Sequence, residues 1–256
     1  KDKEAMATQY ASVARAGTDR IDGKEFQAER VGQAERHLRA GDLRGNRFTI
    51  VVRDLGPDEA ERMKARLADA ARIGLPNYFD EQRFGSFAAD GGFIGKKIVL
   101  RDAEGALKMY LSAAFIGDPN DVRAFKVFAR EHWGDWSALF ERAPAPSNFR
   151  SVLTYLRGHP ADFRHALNLI PRHLLAIYLA AYQGWLWNQI AGRYLEHRFA
   201  QAAVVCHHVE IARQRLPVHT EHVANIVETI PLPNHRAVYR DEDVARAAHE
   251  VFTEEG

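Results

Sequence analysis

The chain has 256 residues, 46% of them hydrophobic, enough to close a substantial core as one large domain or two smaller ones. Lysine and arginine (35) nearly cancel aspartate and glutamate (34), which excludes a globally basic protein and leaves any polyanion-binding surface to local clustering. A single cysteine, Cys206, excludes an internal disulfide framework and suits a reducing compartment.

Residue 1 is lysine rather than methionine, so a processed or truncated start is expected; no secretory signal pattern follows it. Gln9–Val13 alternates in a β-leaning way and predicts a short strand, and the polar, glycine-bearing stretch from Arg15 to Gln33 predicts loop. Arg47–Leu55 (RFTIVVRDL) combines β-branched and aromatic residues between Gly45-Asn46 and Gly56-Pro57, and predicts the clearest strand of the chain. A helix follows at once. Pro57 fits its first turn, Asp58 and Glu59 suit its positive end, and Gly74 fits just past its close. Met63, Leu67, Ala70 and Ala71 give that helix an apolar face.

From about residue 103 the periodicity is almost wholly helical. Helices are predicted over Glu104–Ala113, Val122–His132, Asn148–Gly158, Pro160–Leu169, Pro171–Phe199, Ala202–Arg215 and Asp241–Thr253, with proline-bearing breaks at 143–146 and 231–233. The most apolar stretch, His173–Ile190, is interrupted by Gln183 and Asn188, and reads as a buried helix rather than a membrane span. The class is therefore α+β, with a domain boundary expected near residue 90.

Three segments combine residue types suited to chemistry. Lys1-Asp2-Lys3 sets one acid between two lysines, which keeps the carboxylate ionised beside a polyanion, although such a string alone is more often an ordinary charged terminus. Gly74–Gly85 (GLPNYFDEQRFG) puts Asn77, Phe79 and Arg83 in a turn after a helix. There they could stack on and hydrogen-bond an unpaired base, or serve simply as core and turn residues. Arg36, Arg39, Arg44 and Arg47, with Asn46 among them, form a basic run that can neutralise phosphates or merely guard a strand edge. Histidines 207, 208, 219 and 222 with Cys206 are the candidate metal ligands. On the helix expected at 202–215, His207 and His208 point about 100° apart, and no carboxylate completes a motif, so no metal is expected.

These segments resemble signatures of the TruD family of pseudouridine synthases. Lys1–Gln9 matches KDxxAxTxQ, whose Asp is the family's catalytic residue. Pro76–Gly85 is close to PNYFGxQRFG, with Asp80 where the family usually has glycine, at a turn position expected to have positive φ. Arg36–Phe48 resembles the segment around K-L-R-x-G-x-L-x-G-N-x-F, and Asn168–Arg172 with Gln183–Asn188 resembles, more loosely, the family's helical insertion. The resemblance implies a partial pseudouridine-synthase sheet domain over 1–90 and a mainly helical insertion domain over 91–256, in a chain lacking further N- and C-terminal parts. It implies isomerisation of a uridine in tRNA, uridine 13 by the family name, in the cytoplasm, with no cofactor and no protein partner. Asp2 would be catalytic, Lys1, Asn77, Phe79 and Arg83 would hold the substrate, and Arg36, Arg39, Arg44, Asn46 and Arg47 would bind RNA. A noncatalytic RNA-binding or tRNA-folding protein using the same basic surface is the competing reading. Trp185 and Trp187 read as core, and Asn188 as a cap or a bridge between elements.

Overall fold

The computed structural model describes residues 6–15, 17–39, 41–42, 44–45, 47–89, 91–202, 206–219, 226–227 and 229–256. It is α+β, mostly helical with two small antiparallel sheets among the described residues. The chain divides into two units, 1–59 and 60–256.

In the first unit, β1 (Arg20–Asp22) and β2 (Gln27–Glu29) pair antiparallel, Arg20 opposite Glu29. The Gly23 N–H donates to the Phe26 carbonyl at 2.8 Å to close the turn. This hairpin falls in the stretch expected to be loop. Conversely, Gln9–Val13 and Arg47–Leu55, both expected as strands, pair with no described segment. A β-rich sequence becomes a strand only where a neighbour takes its backbone groups and a second layer covers one face. Here Phe48, Ile50 and Val51 stand exposed, and Asp54 (φ 57) turns the backbone out of the extended region.

Helix α1 (Pro57–Ile73) follows the capping signals read in the sequence. The Glu59 carboxylate accepts from the Gly56 N–H at 2.9 Å, and Gly74, at φ +86, donates to the Ala70 carbonyl at 2.9 Å. None of its residues is buried among the described atoms.

The second unit continues with a single 3-10 turn (Glu81–Phe84) and then α2 (Ile94–Val99), α3 (Ala103–Ser112), α4 (Asn120–Glu131), α5 (Trp136–Arg142), α6 (Phe149–Gly158), α7 (Phe163–Asn168) and α8 (Arg172–Ala202). Aspartates start several of them: Asp102, Asp135 and Asp162 each accept from the backbone N–H three residues on. The short α2 and α5 were not expected.

The largest departure follows α8. Ala202–Arg215, expected as helix, instead contains β3 (Cys206–Ile211), which pairs antiparallel with β4 (Gln214–His219). Ala212 and Arg213 both take left-handed φ values, 47 and 63, giving the hairpin a tight two-residue turn without glycine. The apolar residues of this stretch satisfy helical and alternating spacing about equally. The tertiary setting decides, since it buries Gln214 and Leu216 on one face of β4 and Pro217 and His219 on the other. On a strand, neighbouring His207 and His208 point to opposite faces rather than 100° apart. His219 packs on the Phe199 ring, centroids 5.1 Å apart. Helix α9 (Glu242–Glu255) closes the unit, capped by Asp241, whose carboxylate accepts from two backbone N–H groups at 3.0 Å.

Two cores result. One joins α2–α7 with the start of α8 around Leu107, Leu111, Leu139, Leu153 and Leu156. The other gathers the end of α8, α9, Phe84, Phe93 and the β3–β4 hairpin around Ile190, Tyr194 and Phe199. Helix α8, at 31 residues, contributes to both.

Candidate active site

The segment Pro76–Gly85 lies on the second core, and its side chains divide by exposure. Phe84 is buried, Tyr78 and Phe79 are half-buried, and Asn77, Asp80 and Arg83 face solvent. Tyr78 reaches inward: its hydroxyl donates to the Pro217 carbonyl of β4 at 2.9 Å. Burial, and after it the charges of Glu196 and Cys206, hold that phenol well above its ordinary pKa, so it stays a donor.

Phe79 is fixed from three sides. Its N–H donates to Asn188 Oδ1 at 2.9 Å, and its carbonyl accepts from Asn188 Nδ2 at 2.8 Å. Its ring stands T-shaped to Trp187 with centroids 5.7 Å apart, and the Arg83 guanidinium lies over it at 4.9 Å. Gly184 makes room for the ring, since a Cβ there would sit 3.2 Å from Phe79 Cδ2. Gly192 does the same for the hairpin, where a Cβ would sit 3.1 Å from Leu216 Cδ2. Asn188 has no solvent exposure, and its Nδ2 also reaches Gln214 Oε1 at 3.4 Å. Gln214 in turn donates to the Trp185 carbonyl at 2.8 Å. Asn188 thus bridges elements, one of the two roles, cap or bridge, expected of it.

Asp80 does not have the positive φ expected of it. At φ −90 and ψ 172 it is extended, it caps the 3-10 turn, and its carboxylate accepts from the Glu81 N–H at 2.8 Å. A residue with a side chain is therefore unstrained there. Glu81 Oε1 accepts from the Ala212 N–H at 3.2 Å, which ties this turn to the tip of the hairpin.

Beside the segment opens a cleft of about 870 Å³. Asn77, Tyr78 and Phe79 form one wall; Trp187 and Tyr194 of α8 form another; Ile226, Ile230 and Leu232 line the third. Side chains of α8 hold that third wall. Gln183 donates to the Pro233 carbonyl at 2.8 Å, Trp187 Nε1 to the Ile230 carbonyl at 2.9 Å, and the Tyr194 hydroxyl accepts from the Val227 N–H at 3.0 Å. Trp187, expected as core, therefore both packs on Phe79 and anchors a wall. A space of this size admits a nucleotide.

The structure brings Asn77 and Phe79 to one cleft and sets Arg83 against Phe79. Lys1, Asp2 and Asn46 lie outside the described residues. In the first unit, Arg36 is committed to a two-point ion pair with Asp42 (2.7 and 2.8 Å), and the Arg39 N–H donates to the same carboxylate at 2.8 Å. Those bonds hold the Asp42 carboxyl below its usual range, Arg36 being the larger cause. Arg39, Arg44 and Arg47 are exposed, and among the described residues their side chains pair with none. Sequence reading missed Glu81, Gln214 and Tyr194. No local pattern marks them, since their partners are 131, 26 and 33 residues away.

The family model for tRNA pseudouridine synthase D (TruD) matches residues 1–247. The chain belongs to the TruD family. Among its relatives, a probable tRNA pseudouridine synthase D of Methanopyrus kandleri is 31% identical over the whole of this chain and 61% of its own length. A probable tRNA pseudouridine synthase D 2 of Methanocaldococcus jannaschii is 35% identical over 74% of this chain and 45% of its own. A crystal structure of a TruD protein from Methanosarcina mazei shares the fold, with a TM-score of 0.56 over 91% of this chain and 52% of that one, at 23% identity. The chain thus spans roughly half of the length of the TruD proteins it matches.

Proposed function

We propose that the TruD protein containing this chain isomerises a uridine of tRNA, uridine 13, to pseudouridine in the cytoplasm. The observation that carries this reading is the cleft of about 870 Å³ to which Asn77 and Phe79 are both delivered. A uracil must leave its stack before any side chain reaches C1′, at a cost of a few kcal/mol, and a stacking ring beside an amide is what a flipped base requires. In this reading Phe79 stacks the extruded uracil, Asn77 holds its polar edge or nearby backbone, and Arg83 steadies the Phe79 ring. The Asp2 carboxylate, with Lys1 tuning its charge, acts either as nucleophile at C1′ or as base toward the C2′ hydrogen. The N1–C1′ bond breaks, the uracil turns, and a C5–C1′ bond forms as the C5 proton departs and N1 is protonated. Residues 1–90 would supply part of the catalytic sheet domain and 91–256 the mainly helical insertion. Arg39, Arg44 and Arg47, with Arg36 and Asn46, would contact phosphates without reading sequence.

Replacing Asp2 by Asn in the full-length protein is expected to abolish pseudouridine, mapped site by site in tRNA, while tRNA affinity stays within about twofold, as for a charge acting mainly in the transition state. Retained turnover overturns the assignment and leaves the noncatalytic RNA-binding reading. Removing Arg39, Arg44 and Arg47 together is expected to lower the slope of log affinity against log salt by roughly 2 to 3, one phosphate contact each. An unchanged slope removes that patch from the RNA interface.

A further inference from the structure

We infer that Asn188 and Gln214 are positioning residues that set the Phe79 ring for the reaction, although neither belongs to the segment that would meet RNA; this rests on the pseudouridine synthase reading above. Asn188 is fully closed from solvent and Gln214 is 2% exposed. Two buried amides next to an apolar core are costly unless their hydrogen bonds are made, and here they are made in a chain with one direction. The Gln214 Nε2 donates to the Trp185 carbonyl at 2.8 Å, which orients its Oε1 toward Asn188 Nδ2 at 3.4 Å. With Nδ2 so fixed as the donor end, the Asn188 amide has one orientation. Its oxygen takes the Phe79 N–H at 2.9 Å and its nitrogen gives to the Phe79 carbonyl at 2.8 Å. A side-chain amide that satisfies both backbone groups of a single residue mimics a paired strand, and fixes that residue's height and rotation together.

The grip falls on Phe79, one of the aromatic residues that line the cleft. Two further bonds run from the same hairpin to the neighbours of Phe79. Tyr78 donates to the Pro217 carbonyl at 2.9 Å, and Glu81 accepts from the Ala212 N–H at 3.2 Å. The β3–β4 hairpin is therefore a template against which residues 78–81 are registered, with Asn188 as the central pin. Phe79 carries no polar side-chain atom of its own, so dispersion with Trp187 and Gly184 would let it slide. Directional bonds to its backbone do not.

The test uses the full-length protein and tRNA. Asn188→Asp keeps shape and the acceptor for the Phe79 N–H, but sets an oxygen against the Phe79 carbonyl; Gln214→Met keeps bulk and loses only the orienting bonds. Each is expected to lower the single-turnover rate of pseudouridine formation at saturating tRNA by roughly 10- to 100-fold, the scale of an ångström's misplacement, with tRNA Kd within about threefold of wild type. Leu153→Ala, in the other core, destabilises without touching this network, and is expected to keep the wild-type rate at temperatures where it is folded. Wild-type rates in both amide variants overturn the inference. So does a loss confined to Kd, and so does a rate loss that Leu153→Ala reproduces. If Asn188→Asp fails to fold, Gln214→Met and Tyr78→Phe decide alone, on the same criteria. A folded wild-type protein that makes no pseudouridine defeats the underlying reading instead, and is recognised before any variant is made.

Discussion

The core around α3, α5 and α6 fills its centre with Leu107, Leu111, Leu139, Leu153 and Leu156, whereas the core beneath Tyr78–Phe84 admits Asn188 and Gln214 among its aromatics. Apolar packing is non-directional and tolerates small rearrangement as long as volume is filled. Buried amides tolerate none, because an amide displaced by an ångström leaves its partner unpaired at about 1–3 kcal/mol. The first core holds the unit together; the second says where one particular ring must be. The two lie on one helix, α8, so the division is made along a single element rather than between domains.

The broadest challenge to this contrast is alkali, which should strike both cores alike. Tyr110 and Tyr178 belong to the leucine-rich side, Tyr78 and Tyr182 to the other, and burial is the leading cause that raises all four phenols above their ordinary pKa, Tyr178 to about 12. A phenol raised in the folded state keeps a proton that the unfolded chain releases. Its contribution is whole below about pH 10 and is lost as the pH climbs through the folded values, at about 1.4 kcal/mol per pH unit for each group. The lowered pKa of buried Lys126 acts with the opposite sign and offsets part of this below its ordinary value. Helix loss and tyrosinate absorbance are expected to rise together above pH 10. These four are half of the chain's 8 tyrosines, so tyrosinate exceeding half of the full signal with helicity intact would show these phenols to be open to water.

A narrower challenge is Leu153→Ala, which is expected to cost about 2–5 kcal/mol in urea unfolding, the range for a leucine deleted from a closed core. Its effect should be on stability only, and a loss below 1 kcal/mol would mean that this core relaxes freely. The smallest effect expected is that of Tyr194→Phe. Losing the acceptor for the Val227 N–H should cost about 0.5–1.5 kcal/mol. A cost as large as that of Leu153→Ala would erase the distinction between the two cores.

Much of this fold was legible in advance, and the misses share a cause. Helices α3, α4, α6, α8 and α9 announced themselves through periodicity and caps, within a few residues at each end. The segment Pro76–Gly85 was legible as a string of residues. What could not be read were the contacts that give it shape, because Phe79 meets Asn188 across 109 positions and Tyr78 meets Pro217 across 139. Cys206–Arg215, within the helix expected over Ala202–Arg215, was misread for a related reason: local spacing allowed helix or strand, and the surface beneath chose strand. Arg47–Leu55 erred in the other direction, its β-branched run finding no described neighbour to pair with.

Glycine in the middle of a helix ordinarily costs about 0.5–1 kcal/mol relative to alanine, and α8 has two, at 184 and 192. By helix propensity alone, alanine at 184 should raise the melting temperature; by geometry it would crowd Phe79 by a few tenths of an ångström. How far the ring can give sets the net sign, and the melting temperature of Gly184→Ala reads it directly. At this point the helix gives up some of its own propensity where an aromatic ring comes close to its backbone.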